Sequence, residues 1–197
     1  MYSDGEREHI RRRLLEEAEC CLAQYGVRKT TVDELVRRVR IPKGTFYLFY
    51  ASKELLFFEV LRSLHDRIQA ELSGRLGALG LNPGANAVAE LLFDLFKRVE
   101  ETALFGLITG GDLEYLVRKL PEEIVEAHAA EDDLNVERLV ARLPGCEAAD
   151  IPAVSAALRA AFFTALHRRE IGREVFDDAL KLMLRGIVVQ MYKGDSR

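Results

Sequence analysis

Apolar residues return at every third or fourth position along nearly every long stretch of this chain, and no convincing alternation of apolar and polar residues appears anywhere. Ile10, Leu14, Ala18, Cys21, Leu22 and Tyr25 form one such stripe, with Gly26 as its stop. Val88, Leu91, Leu92, Leu95, Phe96 and Val99 form another. This period puts each set on one side of an α-helix, whereas a half-buried strand needs a period of two. The predicted fold class is all-α, with about nine helices.

Helix boundaries follow from capping chemistry. Thr31-x-x-Glu34 reads as a capping box opening a short helix that carries Leu35, Val36 and Val39. Arg40 and Ile41 make a turn, and Pro42 suits a first helical position, where its missing N–H costs nothing. The helix it opens is short, about eight residues, ending near Phe49 or Tyr50. Ser52 then caps a long helix bearing Leu56, Val60, Leu61, Leu64, Ile68 and Leu72. Gly80, Asn82, Pro83 and Gly84 mark a break, Gly110-Gly111 a second and Pro144-Gly145 a third. A short helix is expected up to Leu120, another from Pro121, and two last ones over 150–169 and 173–193, separated by Gly172.

Charge is distributed unevenly. The chain carries a net −4, but residues 1–70 carry +2 and the remainder −6. Between 28 and 53, Arg28, Lys29, Arg37, Arg38, Arg40, Lys43 and Lys53 face only Asp33 and Glu34. A local excess of this kind is what phosphate neutralisation requires. Other chemistries find no support. His9, His65, His128 and His167 lack metal-ligand spacing, and neither a phosphate-binding glycine loop nor a nucleophile elbow is present. No enzyme activity, metal or cofactor is expected. Cys20, Cys21 and Cys146 form no disulfide framework; they are expected to be small buried residues in a reducing compartment, a thiol sensor being the alternative. No apolar run approaches the roughly 18 residues a membrane span needs, and polar residues follow Met1, so a soluble cytoplasmic protein is expected.

Residues 31–50 therefore read as a helix, a tight turn and a second short helix, the pattern of a DNA-reading helix-turn-helix. Gly44 weakens that second helix by roughly 1 kcal/mol relative to Ala, unless close approach of a partner requires it. Lys43 can reach phosphate or guanine, Thr45 can offer a hydroxyl or methyl to base edges, and Tyr47 can reach a phosphate. Lys53 stands at the start of the next helix, where amides also favour phosphate. Phe46 and Tyr50 are expected to pack inward. Each polar residue alone would be an ordinary solvated side chain; their conjunction with Gly44 and the local charge is what points to DNA.

The segment from Leu14 to Leu61 resembles the amino-terminal domain of TetR-family regulators: Gly26, then Thr30 to Glu34, Lys43 to Tyr47, and Ser52 to Glu54 follow the family pattern. The resemblance implies DNA contacts by Thr31, Lys43, Gly44, Tyr47 and Lys53, to which Thr45 is added on chemical grounds. Arg40 replaces a usual Gly, Pro42 a common Ser, Phe49 a frequent His and Tyr50 a Phe, departures that bear on which operator is read. It further implies a helix-turn-helix domain over 1–52 and a helical effector-binding and dimerisation domain over 53–197. Val154, Leu158, Ala161, Phe162, Ala165 and Leu166, followed by Phe176, Leu180, Met183, Leu184, Ile187, Val188 and Met191, supply wide apolar faces for pairing two copies. His65, Phe93, Phe96, Phe105, Tyr115 and His128 are the candidate effector contacts, and the Leu- and Phe-rich stretch 88–116 points to an apolar small molecule. The expectation is a homodimeric repressor released from a palindromic operator by that effector. The alternative is a ligand- or partner-binding helical scaffold with a vestigial DNA-binding head.

Overall fold

A computed structural model describes residues 2–80, 83–127, 137, 140, 141, 143 and 150–193, and all regular structure among them is helical. In chain order the helices are α1 (Asp4–Lys29), α2 (Val32–Val39), α3 (Lys43–Phe46), α4 (Lys53–Ala78), α5 (Ala85–Glu100), α6 (Ala103–Thr109) and α7 (Asp112–Lys119). Residues 122–127 continue as α8. α9 (Ile151–Phe163), a 3-10 turn (Thr164–His167), α10 (Arg168–Ile171) and α11 (Phe176–Lys193) complete the described chain. The all-α reading holds. Among the described residues no helix is long and apolar enough to cross a membrane.

The chain divides into two compact units, residues 1–67 with 99–126 and residues 68–98 with 127–197. In the first, α1 lays Ile10, Leu14, Ala18, Cys21 and Leu22 against Leu35 and Val36 of α2, Phe46 of α3, Leu56, Phe57, Val60, Leu61 and Leu64 of α4, and Leu107 and Leu116 of α6 and α7. α1 starts earlier than its apolar stripe. Ser3 accepts from the Glu6 amide while Glu6 accepts from the Ser3 amide, a complete capping box that Ser3-x-x-Glu6 spells in the sequence. At the other end Gly26 interrupts the helix with φ 76° and ψ 176°, a conformation essentially reserved for glycine. The interruption exposes the Val27 amide, which donates to Asp112 Oδ2 at 2.6 Å, while Arg28 Nε donates to Asp112 Oδ1 at 2.8 Å.

One expected cap is only half formed and two expected boundaries move. Thr31 does cap α2, accepting from the Glu34 amide at 3.1 Å, but Glu34 turns to Arg37 and Arg38 instead of closing the box. Pro42 is the N-cap of α3, not its first residue, and the α-helix proper lasts four residues before continuing as turns through Phe49. The helix expected over 150–169 stops at Phe163, where Thr164 Oγ1 bonds back to the Ala161 carbonyl at 2.6 Å and the chain tightens into a 3-10 turn.

In the second unit Leu72, Leu91 and Leu95 form one buried cluster with Ile68, Leu76 and Leu79 around it. α9 packs on α11, burying Leu158, Ala161, Phe176, Leu180, Leu184, Val188 and Met191. Arg168 joins the turn to α11 by donating to Asp177 and lying 4.4 Å over the Phe176 ring.

A Cβ at residue 26 would collide with the Asp112 carboxylate as well as strain the backbone. Gly26→Ala is expected to lower the unfolding free energy by about 2 kcal/mol or more, read as a reduced urea midpoint. A midpoint equal to the parent's would show that the kink is not fixed by this residue.

Candidate nucleic-acid interface

α2 and α3 are held at the turn by backbone chemistry. Arg40 is the sole non-glycine residue with positive φ among the described residues, at φ 62° and ψ 47°. Its amide and that of Ile41 both donate to the Val36 carbonyl, so the helix end is satisfied despite the cost, about 1–2 kcal/mol, of an L-residue in this region. The departure from glycine noted in the sequence is accommodated by left-handed geometry.

α3 and the turns that follow it then present two distinct sides. Thr45, Phe46 and Tyr50 are buried, whereas Lys43, Gly44, Tyr47 and Leu48 are exposed, Tyr47 at 52% and Leu48 at 59%. Phe46 sits edge-on to Tyr47 with ring centres 5.4 Å apart, and near Tyr50 at 6.0 Å, so the buried ring orients the exposed one. The Tyr50 hydroxyl donates to Glu59 at 3.0 Å, and Arg11 closes on the same carboxylate at 2.8 Å. Burial, chiefly, pushes the Tyr50 phenol up to about 12, keeping it a donor. Beyond its chain neighbours and its own helix backbone, nothing lies within 4 Å of a Cβ placed at Gly44, so packing does not demand glycine there.

Two of the residues expected to contact DNA are engaged inside the protein. Thr45 is only 7% exposed and its hydroxyl pairs with the Tyr2 hydroxyl at 3.2 Å. The Lys53 ammonium donates to the carbonyls of Val27, Thr30 and Arg28 at 2.6–3.4 Å, capping the end of α1, and burial lowers its basicity. Thr31, Lys43, Gly44 and Tyr47 remain outward. Lys43 rests on Asp33 at 2.9 Å, and that hydrogen bond strengthens its basicity; both side chains are more than half exposed, so the pair is weak and exchangeable.

The basic cluster is similarly divided. Arg28 is committed to Asp112 and the Gly110 carbonyl, and Arg38, three-quarters buried, to Glu34 and Glu17. Arg37 pairs with Glu34 but remains 74% exposed, and Lys29 and Arg40 make no ion pair among the described residues. The outward cationic set is therefore Lys29, Arg37, Arg40 and Lys43.

The effector candidates are distributed over both units. In the first unit His65 and Phe105 are half-buried, and the Tyr115 hydroxyl donates to Glu54 at 2.9 Å as a tether of α7 to α4. In the second, Phe93 and Phe96 are buried; Phe96 meets Phe162 at 5.5 Å, and the Lys181 ammonium lies 4.5 Å from the Phe93 ring centre. His128 lies outside the described residues, as does Cys146. A shallow depression on α7 is lined by Leu113, Glu114, Val117 and Arg118, none of them a predicted contact. Periodicity did not single out Ser155, a hydroxyl on α9 that is fully buried with no partner among the described residues, two turns from Phe162 on the same side of the helix. Cys21 is buried as expected, and burial raises its thiol pKa; Cys20 is exposed.

Residues 14–60 match the family model described as bacterial regulatory proteins, tetR family. The chain is 32% identical over 71 residues to the HTH-type transcriptional repressor Rv1474c of Mycobacterium tuberculosis, covering 36% of this chain and 37% of that protein. It is 32% identical over 72 residues to the HTH-type transcriptional regulator YdgC of Bacillus subtilis, covering 36% and 37%. The match thus spans little more than a third of either relative. Among solved structures, RolR without ligand superposes with TM-score 0.57 at 20% identity, covering 94% of this chain and 96% of that one. RolR with its ligand resorcinol superposes with TM-score 0.55 at 23% identity, covering 99% and 97%. At these identities the structural likeness concerns the fold.

Proposed function

We propose that this chain is a DNA-binding transcriptional regulator of the TetR family acting as a repressor, with residues 1–52 as its head and residues 53–197 as its body; the match of residues 14–60 to the model of bacterial regulatory proteins, tetR family, supports the reading. The observation that carries the reading is the exposed strip Lys43–Gly44–Tyr47–Leu48, backed by a buried side that fixes its position. Lys43 leaves the weak Asp33 pair for a backbone phosphate, Tyr47 donates to a second, and the bare Gly44 lets the helix approach the groove edge. Thr31 contributes at the α2 N-terminus, where its neighbours' amides favour phosphate. Thr45 and Lys53 act indirectly, by seating α3 and closing α1.

A palindromic operator requires two heads about 34 Å apart, so we propose a homodimer. Support comes from apolar residues that the α9–α11 pair leaves outward. On α9, Ala153, Ala156 and Ala160 are exposed and Phe163 is 49% exposed; Val175 (54%) just before α11, and Leu182 (70%) and Gly186 on it, are exposed, with the half-buried Ala179 and Val189 continuing the same four- and three-residue spacing. Small residues flanking two bulky ones suit close helix pairing. The body is further proposed to take a small apolar effector, as the neighbour RolR takes resorcinol, with Phe93 and Phe96 as walls and Ser155 as the polar contact. The effector must favour the released conformation over the DNA-bound one.

Selection from a random duplex pool tests the function. One palindrome should be enriched, and Tyr47→Ala should weaken binding to it by about tenfold or more with unchanged circular dichroism. Failure to enrich any sequence would favour a scaffold with a vestigial head. Sedimentation tests the assembly: the parent should run as a dimer and Leu182→Glu as a folded monomer, whereas a dimer persisting in the variant would move the interface elsewhere.

A further inference from the structure

We propose that Leu48 is a sequence-reading residue, making apolar contact with the 5-methyl group of a thymine in each half-site; this rests on the DNA-binding reading above. Leu48 is 59% exposed on the same strip as Lys43, Gly44 and Tyr47, at a position where the fold gives it no shelter. Arg37, Arg40 and Lys43, all within eleven positions of it in sequence, are exposed cations. An exposed apolar side chain in a segment that carries outward cations matches the major groove. There phosphates meet the cations, and the thymine methyl is the one apolar group on a base edge.

Elimination strengthens the assignment. Thr45 on α3 also carries a methyl that could meet thymine, but it is buried with its hydroxyl on Tyr2. Phe46 is fully buried and Phe49 is half-buried beneath the Arg7 guanidinium, which lies 5.2 Å from its ring centre. Tyr47 is exposed but presents a polar tip, suited to phosphate. Gly44 lies on α3 four positions before Leu48 and carries no side chain, and a Cβ there would meet nothing within 4 Å beyond its chain neighbours and its own helix backbone. The exposed Leu48 methyl groups can cover a protruding thymine methyl, whereas a cytosine edge, whose amino group needs an acceptor, would be left unpaired against them.

The test uses the full chain and the duplex enriched by selection. Each thymine is replaced in turn by deoxyuridine, which removes only the 5-methyl group, and affinity is measured by fluorescence anisotropy for the parent, Leu48→Ala and Leu48→Met. At one thymine per half-site, deoxyuridine should weaken the parent about fourfold, the effect of losing one buried methyl-sized contact. The same change should leave Leu48→Ala within experimental error and retain most of its effect in Leu48→Met, which keeps an apolar side chain. Circular dichroism of both variants establishes that they fold, as expected for a residue so exposed. An operator indifferent to every methyl group, or a methyl effect undiminished in Leu48→Ala, overturns this inference while leaving DNA binding intact. A pool that enriches no sequence overturns both.

Discussion

The carboxylate of Asp112 holds the junction on which the α2–α3 part of the first unit depends. It accepts the Val27 amide that the Gly26 kink frees, and it pairs with Arg28, whose guanidinium also reaches the Gly110 carbonyl. Lys53 completes the arrangement from the other side by collecting the carbonyls of Val27, Arg28 and Thr30. Donors and acceptors that a broken helix would leave unsatisfied are thereby matched, and each mismatch would otherwise cost about 1–3 kcal/mol. The consequence is geometric: α1 ends at a defined place, so Thr31 begins α2 at a defined place, and α3 follows from it.

Outward chemistry is set by how inward chemistry is distributed. Of the seven cations between residues 28 and 53, Arg28, Arg38 and Lys53 brace the structure. Sequence charge alone counts them equally with Lys43 and Arg40. The same division holds on α3, where Phe46, Tyr50 and Thr45 face the protein and Lys43, Gly44, Tyr47 and Leu48 face away. A four-residue helix has little stability of its own, so its orientation depends on those three inward contacts. Exposure of Tyr47 and Leu48 is therefore a product of the burial of their neighbours.

What the sequence revealed was local, and what it concealed was long-range. Helical period, the Thr31 cap, the turn at Arg40, the Ser52 cap and the inward set of Phe46 and Tyr50 all depend on residues within about one or two turns, and each is found as read. Thr45 looked like a base reader because its partner, Tyr2, lies 43 positions away. Asp112 drew no notice because the amide it receives is 85 positions away, and the role of Lys53 depends on carbonyls up to 26 positions distant. Two missed features did carry a local signal. Ser3-x-x-Glu6 is the same capping signature as Thr31-x-x-Glu34, and Thr164 is a residue able to bond back and tighten a turn.

The central claim is that a small outward cationic set that includes Lys43 meets phosphate at two heads of one assembly. Measuring operator affinity against salt concentration tests it most directly, because each neutralised phosphate contributes about 0.9 to the slope of the logarithmic plot. The account predicts a steep negative slope for the parent, shallower by about 1.8 in Lys43→Ala, one phosphate for each of two copies. A slope near zero, or one identical in parent and variant, would contradict it.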